Sequence, residues 1–204
     1  MDNKIEQTVY IIDDDADVRD SLTWLLDSVQ LTSRTFATAL DFLDQYPEGS
    51  SGCIVMDVRM PGLSGISAQK VLLESGIHLP VIMISAHGNV DMAVTAMTQG
   101  ALTFLEKPFD DQVLLDHIQS ALNKDKLAKE ADRKLESLRA RFNTLTRREK
   151  QVFELVTAGH ANHEIADRLA ISRKTVEGHR AHMMKKLAAN SLPNLMQIAI
   201  KLDG

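Results

Sequence analysis

Five polar side chains in the first 107 residues of the chain each follow a short apolar run, and their types suit phosphoryl chemistry. Residues 9–12 run into Asp13 and Asp14, 53–56 end on Asp57, 81–84 end on Ser85, and Phe104-Leu105 lead to Glu106 and Lys107. Apolar runs this short, bounded by turn residues, read as buried parallel strands. Ligands of an open parallel sheet sit beyond the carboxyl ends of its strands, so Asp13, Asp14, Asp57, Ser85 and Lys107 are expected around one cleft. Clustered carboxylates repel one another unless a cation lies among them. Oxygen ligands with room for water suit Mg²⁺, and such an ion clamps a phosphoryl group during transfer. Lys107 offers a point charge and Ser85 a hydroxyl donor to phosphate oxygens. Asp57 is the expected acceptor. Each residue alone is ordinary: a Ser or a Lys-Pro at a strand end is commonly a loop residue, and Asp15 or Asp17 commonly caps a helix. Their conjunction carries the reading.

The elements that must position these groups alternate. Strands are expected at 8–12, 32–36, 53–56, 80–84 and 102–105, and helices at 16–28, 38–46, 64–75, 89–99 and from 111. Val18, Leu22, Leu25, Leu26 and Val29 recur at helical spacing. Five strands alternating with five helices make an α/β fold, a doubly wound five-stranded parallel sheet. Gly76, Pro80 and Gly100 fall where such elements stop and start. The lone Cys53 opens a strand and reads as a small core residue; a single cysteine forms no internal disulfide, which fits a reducing compartment.

The chain has 204 residues, room for one ordinary domain and a small one, and its 44% hydrophobic but 4% aromatic content leaves packing to aliphatic side chains and Met. The start, Met1-Asp2-Asn3-Lys4, lacks the pattern of a signal peptide. No apolar stretch approaches the roughly 20 residues that span a bilayer. A cytoplasmic location without a membrane partner is expected. The net charge of −5 divides into −12 over residues 1–123 and +7 over 124–204. An acidic module joined to a basic one suggests regulation coupled to nucleic-acid binding, although two solvated surfaces of unlike sign would give the same totals.

In the basic part, residues 124–142 contain no Gly or Pro and are rich in Lys, Glu, Ala, Arg and Leu, so a helical linker is expected. Ala128, Ala131, Leu135, Leu138 and Phe142 give it a short apolar seam. Thr146 and Glu149 form a capping box before a helix that ends near Gly159. A helix over 164–170, a tight Ile171-Ser172 turn and a helix over 174–187 follow, then one over 192–202. Val176, His179, Met183 and Leu187 share one side of the third helix, which also carries Arg173, Lys174, Arg180, Lys185 and Lys186. This is a helix-turn-helix pattern with a basic recognition helix. His160, His163, His179 and His182 lack Cys partners and metal-site spacing.

Ile12-Asp13-Asp14, Asp57 with Met60-Pro61-Gly62 and Gly65, Ser85-Ala86 and Lys107-Pro108-Phe109 resemble the CheY-like, flavodoxin-like receiver domain of two-component response regulators. The resemblance implies that Asp57 accepts phosphate from a sensor histidine kinase. It also implies Mg²⁺ held by Asp14, Asp57 and the Arg59 backbone carbonyl, with Asp13 acting through water. By the same resemblance Ser85 and Lys107 meet the phosphoryl group, Phe104 is the aromatic switch, and the Lys107–Pro108 bond is cis. A plain core aromatic would account for Phe104 equally well.

Leu145-Thr146-Arg147-Arg148-Glu149, Ile165-Ala166, Leu169, Ile171-Ser172, Thr175-Val176, His179 and Lys186-Leu187 resemble the LuxR-type helix-turn-helix domain. The combination is similar to the NarL/FixJ family, nearer its FixJ side. It implies a receiver at 1–123, a linker at 124–142 and a small all-α DNA-binding domain at 143–204. Thr175, Val176, His179 and Arg180 would lie at the DNA groove, with Lys174 and Lys186 on phosphates. His163 and Glu177 depart from residues common in the family. The implied partners are the kinase, double-stranded promoter DNA, RNA polymerase and a second copy of the chain on phosphorylation. The only enzymatic chemistry implied is phosphoryl transfer to Asp57 itself and its autodephosphorylation. Two alternatives stand beside this: a Mg²⁺-dependent phosphatase of the haloacid-dehalogenase type, with Asp13 as nucleophile and Asp15 as acid/base, and a receiver whose basic tail binds protein.

Overall fold

A computed structural model describes residues 6–203; the opening Met1-Asp2-Asn3-Lys4 lies outside them. The chain divides into two compact units, one as far as Lys129 and one from Glu130.

The first unit carries β1 (Gln7–Ile12), α1 (Ala16–Ser28), β2 (Ser33–Phe36), α2 (Ala39–Gln45), β3 (Ser51–Asp57), α3 (Gly65–Glu74), β4 (Val81–Ser85), α4 (Val90–Thr98), β5 (Thr103–Glu106) and the start of α5 (Asp111–Asn143). Its strands form one parallel sheet in the order β2-β1-β3-β4-β5. The boundaries fall within one or two residues of those expected, the usual scatter at fraying ends.

Alternation along the strands builds two cores, because successive side chains point to opposite faces. Tyr10, Ile12, Ile54, Met56 and Met83 pack with Ala39 and Phe42 of α2, Ala68 and Leu72 of α3 and Ala96 of α4. Val9, Ile11, Cys53, Val55, Ile82 and Ile84 pack with Leu22 and Leu26 of α1 and Leu114, Ile118 and Leu122 of α5. With both faces covered, β3 and β4 are buried from end to end, which is why they read as unbroken apolar runs rather than as alternating ones. Cys53 is buried, and burial, followed by the nearby Asp125 charge, pushes its thiol pKa up to about 12.

Helix α5 is continuous over 33 residues, so the linker is helical along its length. Its stretch from Glu130 belongs to the second unit, with α6 (Arg147–Thr157), α7 (Asn162–Leu169), α8 (Arg173–Leu187) and α9 (Leu192–Asp203). Val152, Phe153, Val156, Ile165, Val176, Met183, Leu187, Leu195 and Ile198 form its core. Leu138 and Phe142 of the expected linker seam pack against that core, while Ala128 and Ala131 are exposed. The capping box of Thr146 and Glu149 is formed in full. At α7 the cap position is Ala161, which has no side-chain oxygen; Glu164 accepts the Ala161 N–H at 2.7 Å, the remaining half of a box.

Candidate functional site

The carboxyl edge of the sheet gathers Asp13, Asp57, Ser85 and Lys107. Asp13 follows β1, and its Oδ1 accepts the Asp15 N–H at 2.9 Å. Asp57 is the last residue of β3, and its Oδ2 accepts the Arg59 N–H at 2.6 Å. Lys107 Nζ donates to Asp13 Oδ2 at 2.7 Å and to Asp57 Oδ1 at 3.0 Å. Both carboxylates are buried. Burial disfavours the Lys107 ammonium, but the hydrogen bonds and charges of Asp13 and Asp57 outweigh it and hold the lysine above its ordinary pKa. Ser85 ends β4 and is fully buried, its Oγ accepting the His87 N–H at 3.3 Å. Its carbonyl accepts the Lys107 N–H at 2.8 Å, which aligns β5 and the lysine with β4. The Lys107–Pro108 bond is cis.

The loop after Asp57 folds tightly over the strand end. Gly65 donates its N–H to the Val58 carbonyl at 3.0 Å, and a Cβ on it would stand 2.3 Å from the Asp57 carbonyl oxygen. That approach explains the glycine four residues after Pro61. Phe104 is half-buried and packs with the Tyr10 core. Asp14 is exposed beside the cleft.

Among the described residues no three His, Cys, Asp or Glu side chains converge as a metal cage. The donor set nonetheless fits Mg²⁺, which prefers oxygen, keeps several waters and needs only one or two carboxylates from a protein. Asp15, the acid/base of the phosphatase alternative, is taken up differently: its side chain accepts the Asp17 N–H at 2.9 Å and caps α1.

The second unit presents α8 through a side-chain cap. Ser172 Oγ accepts the Thr175 N–H at 3.0 Å and lies 2.8 Å from Thr175 Oγ1. Lys174 and Thr175 are exposed; His179 and Arg180 are half-buried. Arg180 donates to Asn162 Oδ1 at 2.6 Å, tying α8 to the first turn of α7.

Two expected contact residues are placed otherwise. Val176 is 0% exposed and belongs to the core. It lies seven residues, about two helical turns, before Met183 on the inward side, where it packs the helix onto the core. Lys186 donates to Glu149 Oε2 at 2.6 Å and to the Thr144 carbonyl at 3.2 Å. Burial of Glu149 would raise its pKa, but the Lys186 hydrogen bond and the Thr146 cap outweigh this and hold it below the ordinary carboxylate value. Lys186 locks α8 to the capping box of α6. The exposed side of α8 instead runs through Lys174, Thr175, Glu177, Gly178, Ala181, His182 and Lys185.

Asp125 escaped the sequence reading. Only 4% exposed, it accepts the Gly52 N–H at 2.9 Å and the Ser51 hydroxyl. Gln7 Nε2 donates to the Leu122 carbonyl at 2.7 Å one turn earlier. Together these pin α5 across the amino ends of β1 and β3. The available signal was periodic: position 125 continues the inward stripe of Ile118 and Leu122.

Two stretches of the chain match known families. Residues 9–119 match the response regulator receiver domain, and residues 143–199 match the luxR family of bacterial regulatory proteins. The transcriptional regulatory protein TdiR of Thauera aromatica is 42% identical over 194 residues, covering 95% of this chain and 86% of that protein. The transcriptional regulatory protein FixJ of Bradyrhizobium diazoefficiens is 43% identical over 193 residues, covering 95% of this chain and 94% of the other. The solved structure of the response regulator StyR superposes with a TM-score of 0.87 at 40% identity, covering 96% of this chain and 99% of that one.

Proposed function

Because the chain belongs to the response regulators that join a receiver domain to a luxR-family domain, we propose that a phosphoryl group on Asp57 controls binding of α8 to double-stranded promoter DNA. The observation that carries this is the Lys107 ammonium lying between the buried carboxylates of Asp13 and Asp57. It is a preformed cation at the place where phosphate charge would arrive.

The donor is a phosphohistidine of a sensor histidine kinase. An Asp57 carboxylate oxygen attacks the phosphorus; the O–P bond forms as the N–P bond breaks, and its electron pair returns to the imidazole. Asp14, Asp57 and the Arg59 carbonyl would hold Mg²⁺, with Asp13 acting through water, and the ion would supply charge neutralisation of the phosphoryl oxygens. Lys107 pairs with one of those oxygens. Hydrolysis of the acyl phosphate returns the carboxylate and inorganic phosphate, and no other substrate is turned over.

A phosphorylated side chain carries about −1.5 to −2 charges. That charge draws the Ser85 hydroxyl away from the His87 N–H, and Phe104 moves into the space released. The outer face of α4 then changes. Val90, Val94 and Met97 lie exposed there, one helical turn apart, and support pairing of two receivers. Pairing raises the avidity of two small DNA-binding domains for paired half-sites, and the bound dimer meets RNA polymerase in the cytoplasm. No helix among the described residues is long and apolar enough to cross a membrane.

The test is gel filtration with acetyl phosphate and Mg²⁺, read beside peptide mass spectrometry and beside Asp57→Asn. The expected result is a phosphodonor-dependent dimer, modified at Asp57 and lost in the variant. A chain that stays monomeric when Asp57 is modified, or that dimerises on donor without it, overturns the proposal.

A further inference from the structure

Gly88 lies in the loop between Ser85 and α4, where no positive φ calls for glycine. Space calls for it instead. A Cβ at position 88 would stand 2.7 Å from Cε1, 3.0 Å from Cζ and 4.0 Å from Cδ1 of Phe104, its three nearest neighbours. The edge of the Phe104 ring therefore rests on the bare backbone of residue 88. The same loop is held to the strand end by the His87 N–H donating to Ser85 Oγ at 3.3 Å. Asn89, the next residue, caps α4 by accepting the Met92 N–H at 2.8 Å. In this arrangement Ser85 faces the loop and the ring covers Gly88.

We infer that Gly88 is the positioning residue that permits this resting placement of Phe104, so that one methyl group at position 88 denies it and drives the receiver toward its paired state without phosphate. The inference rests on the switch described under Proposed function. The three atoms nearest a Cβ at position 88 all belong to the Phe104 ring, so the substitution acts through the ring. The contact is with the far end of a rotatable side chain and not with backbone, so the ring can swing aside while the loop and the α4 cap persist. The ring has two placements, one over Gly88 and one in the space that Ser85 leaves. Closing the first raises the population of the second.

Gly88→Ala, Phe104→Ala and the double variant would be compared with the parent chain, each with and without acetyl phosphate and Mg²⁺. Sedimentation equilibrium would read the dimer dissociation constant, and thermal unfolding would confirm a folded receiver. In Gly88→Ala, dimerisation without donor is expected to tighten about tenfold, a modest population shift. Combining it with Phe104→Ala is expected to erase that gain, because the methyl then meets no ring. A 4-fluorophenylalanine placed at position 104 should shift its ¹⁹F resonance in Gly88→Ala toward that of the phosphorylated parent. Unchanged or weaker dimerisation in Gly88→Ala, a gain that survives loss of the ring, or an unmoved ¹⁹F resonance each overturns the inference. Failure of the parent itself to dimerise on donor would instead strike the underlying switch, so the two failures are told apart.

Discussion

At the carboxyl edge of the sheet, Asp13 after β1, Asp57 of β3 and Lys107 after β5 meet as their positions in the sequence imply, and Ser85 ends β4 at the same edge. On α8, six neighbouring or nearly neighbouring residues expected at one DNA surface divide between surface and interior. The difference lies in what fixes direction. Parallel strands end at one edge, and a polar residue that follows a buried strand has only that edge to occupy. Lys107 thus reaches both Asp13 and Asp57, although 94 and 50 residues separate them. A helix presents every side of itself, and which side is outward depends on neighbours that a linear pattern does not name.

The contrast breaks most readily at Lys107. In the proposed switch phosphorylation is coupled to dimerisation by a factor of about 5–150, the usual range for linked sites, and Lys107 is the cation through which that coupling would pass. Lys107→Ala is expected to retain a fold, to leave dimerisation unresponsive to acetyl phosphate, and to bring the coupling factor close to one. Sedimentation equilibrium of the variant with its modified fraction measured in parallel checks this; a donor response equal to the parent's would show that the half-buried lysine is only an ion-pair partner.

Val176 tests the other side. Truncating a fully buried Val to Ala should cost about 2 kcal/mol, read by urea unfolding of the second unit. Any loss in DNA affinity should then scale with the unfolded fraction, and the salt dependence of binding should stay as in the parent. A base-contacting residue would behave in reverse, with intact stability and relaxed sequence preference.

The sheet, its helices and both cores were legible because buried parallel strands leave unbroken apolar runs and amphipathic helices leave a 3.6-residue period. The helical linker was legible from composition. Val176 was ambiguous for a physical reason: its apolar spacing with Met183 and Leu187 pointed inward, while the family resemblance pointed to the groove, and packing decided for the core. Lys186 was illegible because its partner, Glu149, stands 37 residues away on another helix. Asp125 and Gly88 were missed for a similar reason. A buried carboxylate satisfied by Ser51 and Gly52, or a glycine demanded by a distant ring, leaves no local mark.

Lys186→Ala comes next in size. Glu149 is nearly buried whereas the lysine is about a third exposed, so the loss falls below that of a fully buried pair, at about 1–2 kcal/mol. The pH profile follows from the sign of the Glu149 shift. A carboxylate held below its ordinary value contributes stability above that value, near 4.5, and loses it as pH falls through the lowered one. The parent's second unit is therefore expected to lose stability on acidification below about 4.5, and Lys186→Ala to lose less over the same interval. Circular dichroism melts across that range decide; parallel profiles for the two proteins would remove the ion pair from the account.

The smallest effect is the most discriminating. Lys174 and Lys186 are both lysines on α8, and both were expected on DNA phosphates, but Lys174 is exposed. Removing one phosphate contact lowers the slope of log affinity against log salt by about one unit. Lys174→Ala should show that drop, with a few-fold weaker binding at moderate salt and an unchanged melting curve. Lys186→Ala should show the opposite pairing, a lowered melting curve with the parental salt slope. Fluorescence anisotropy on one duplex over a salt series measures both. If the slope falls for Lys186 and not for Lys174, the exposed side of α8 is not the side that meets DNA, and the helix would have to dock through the end nearest α6.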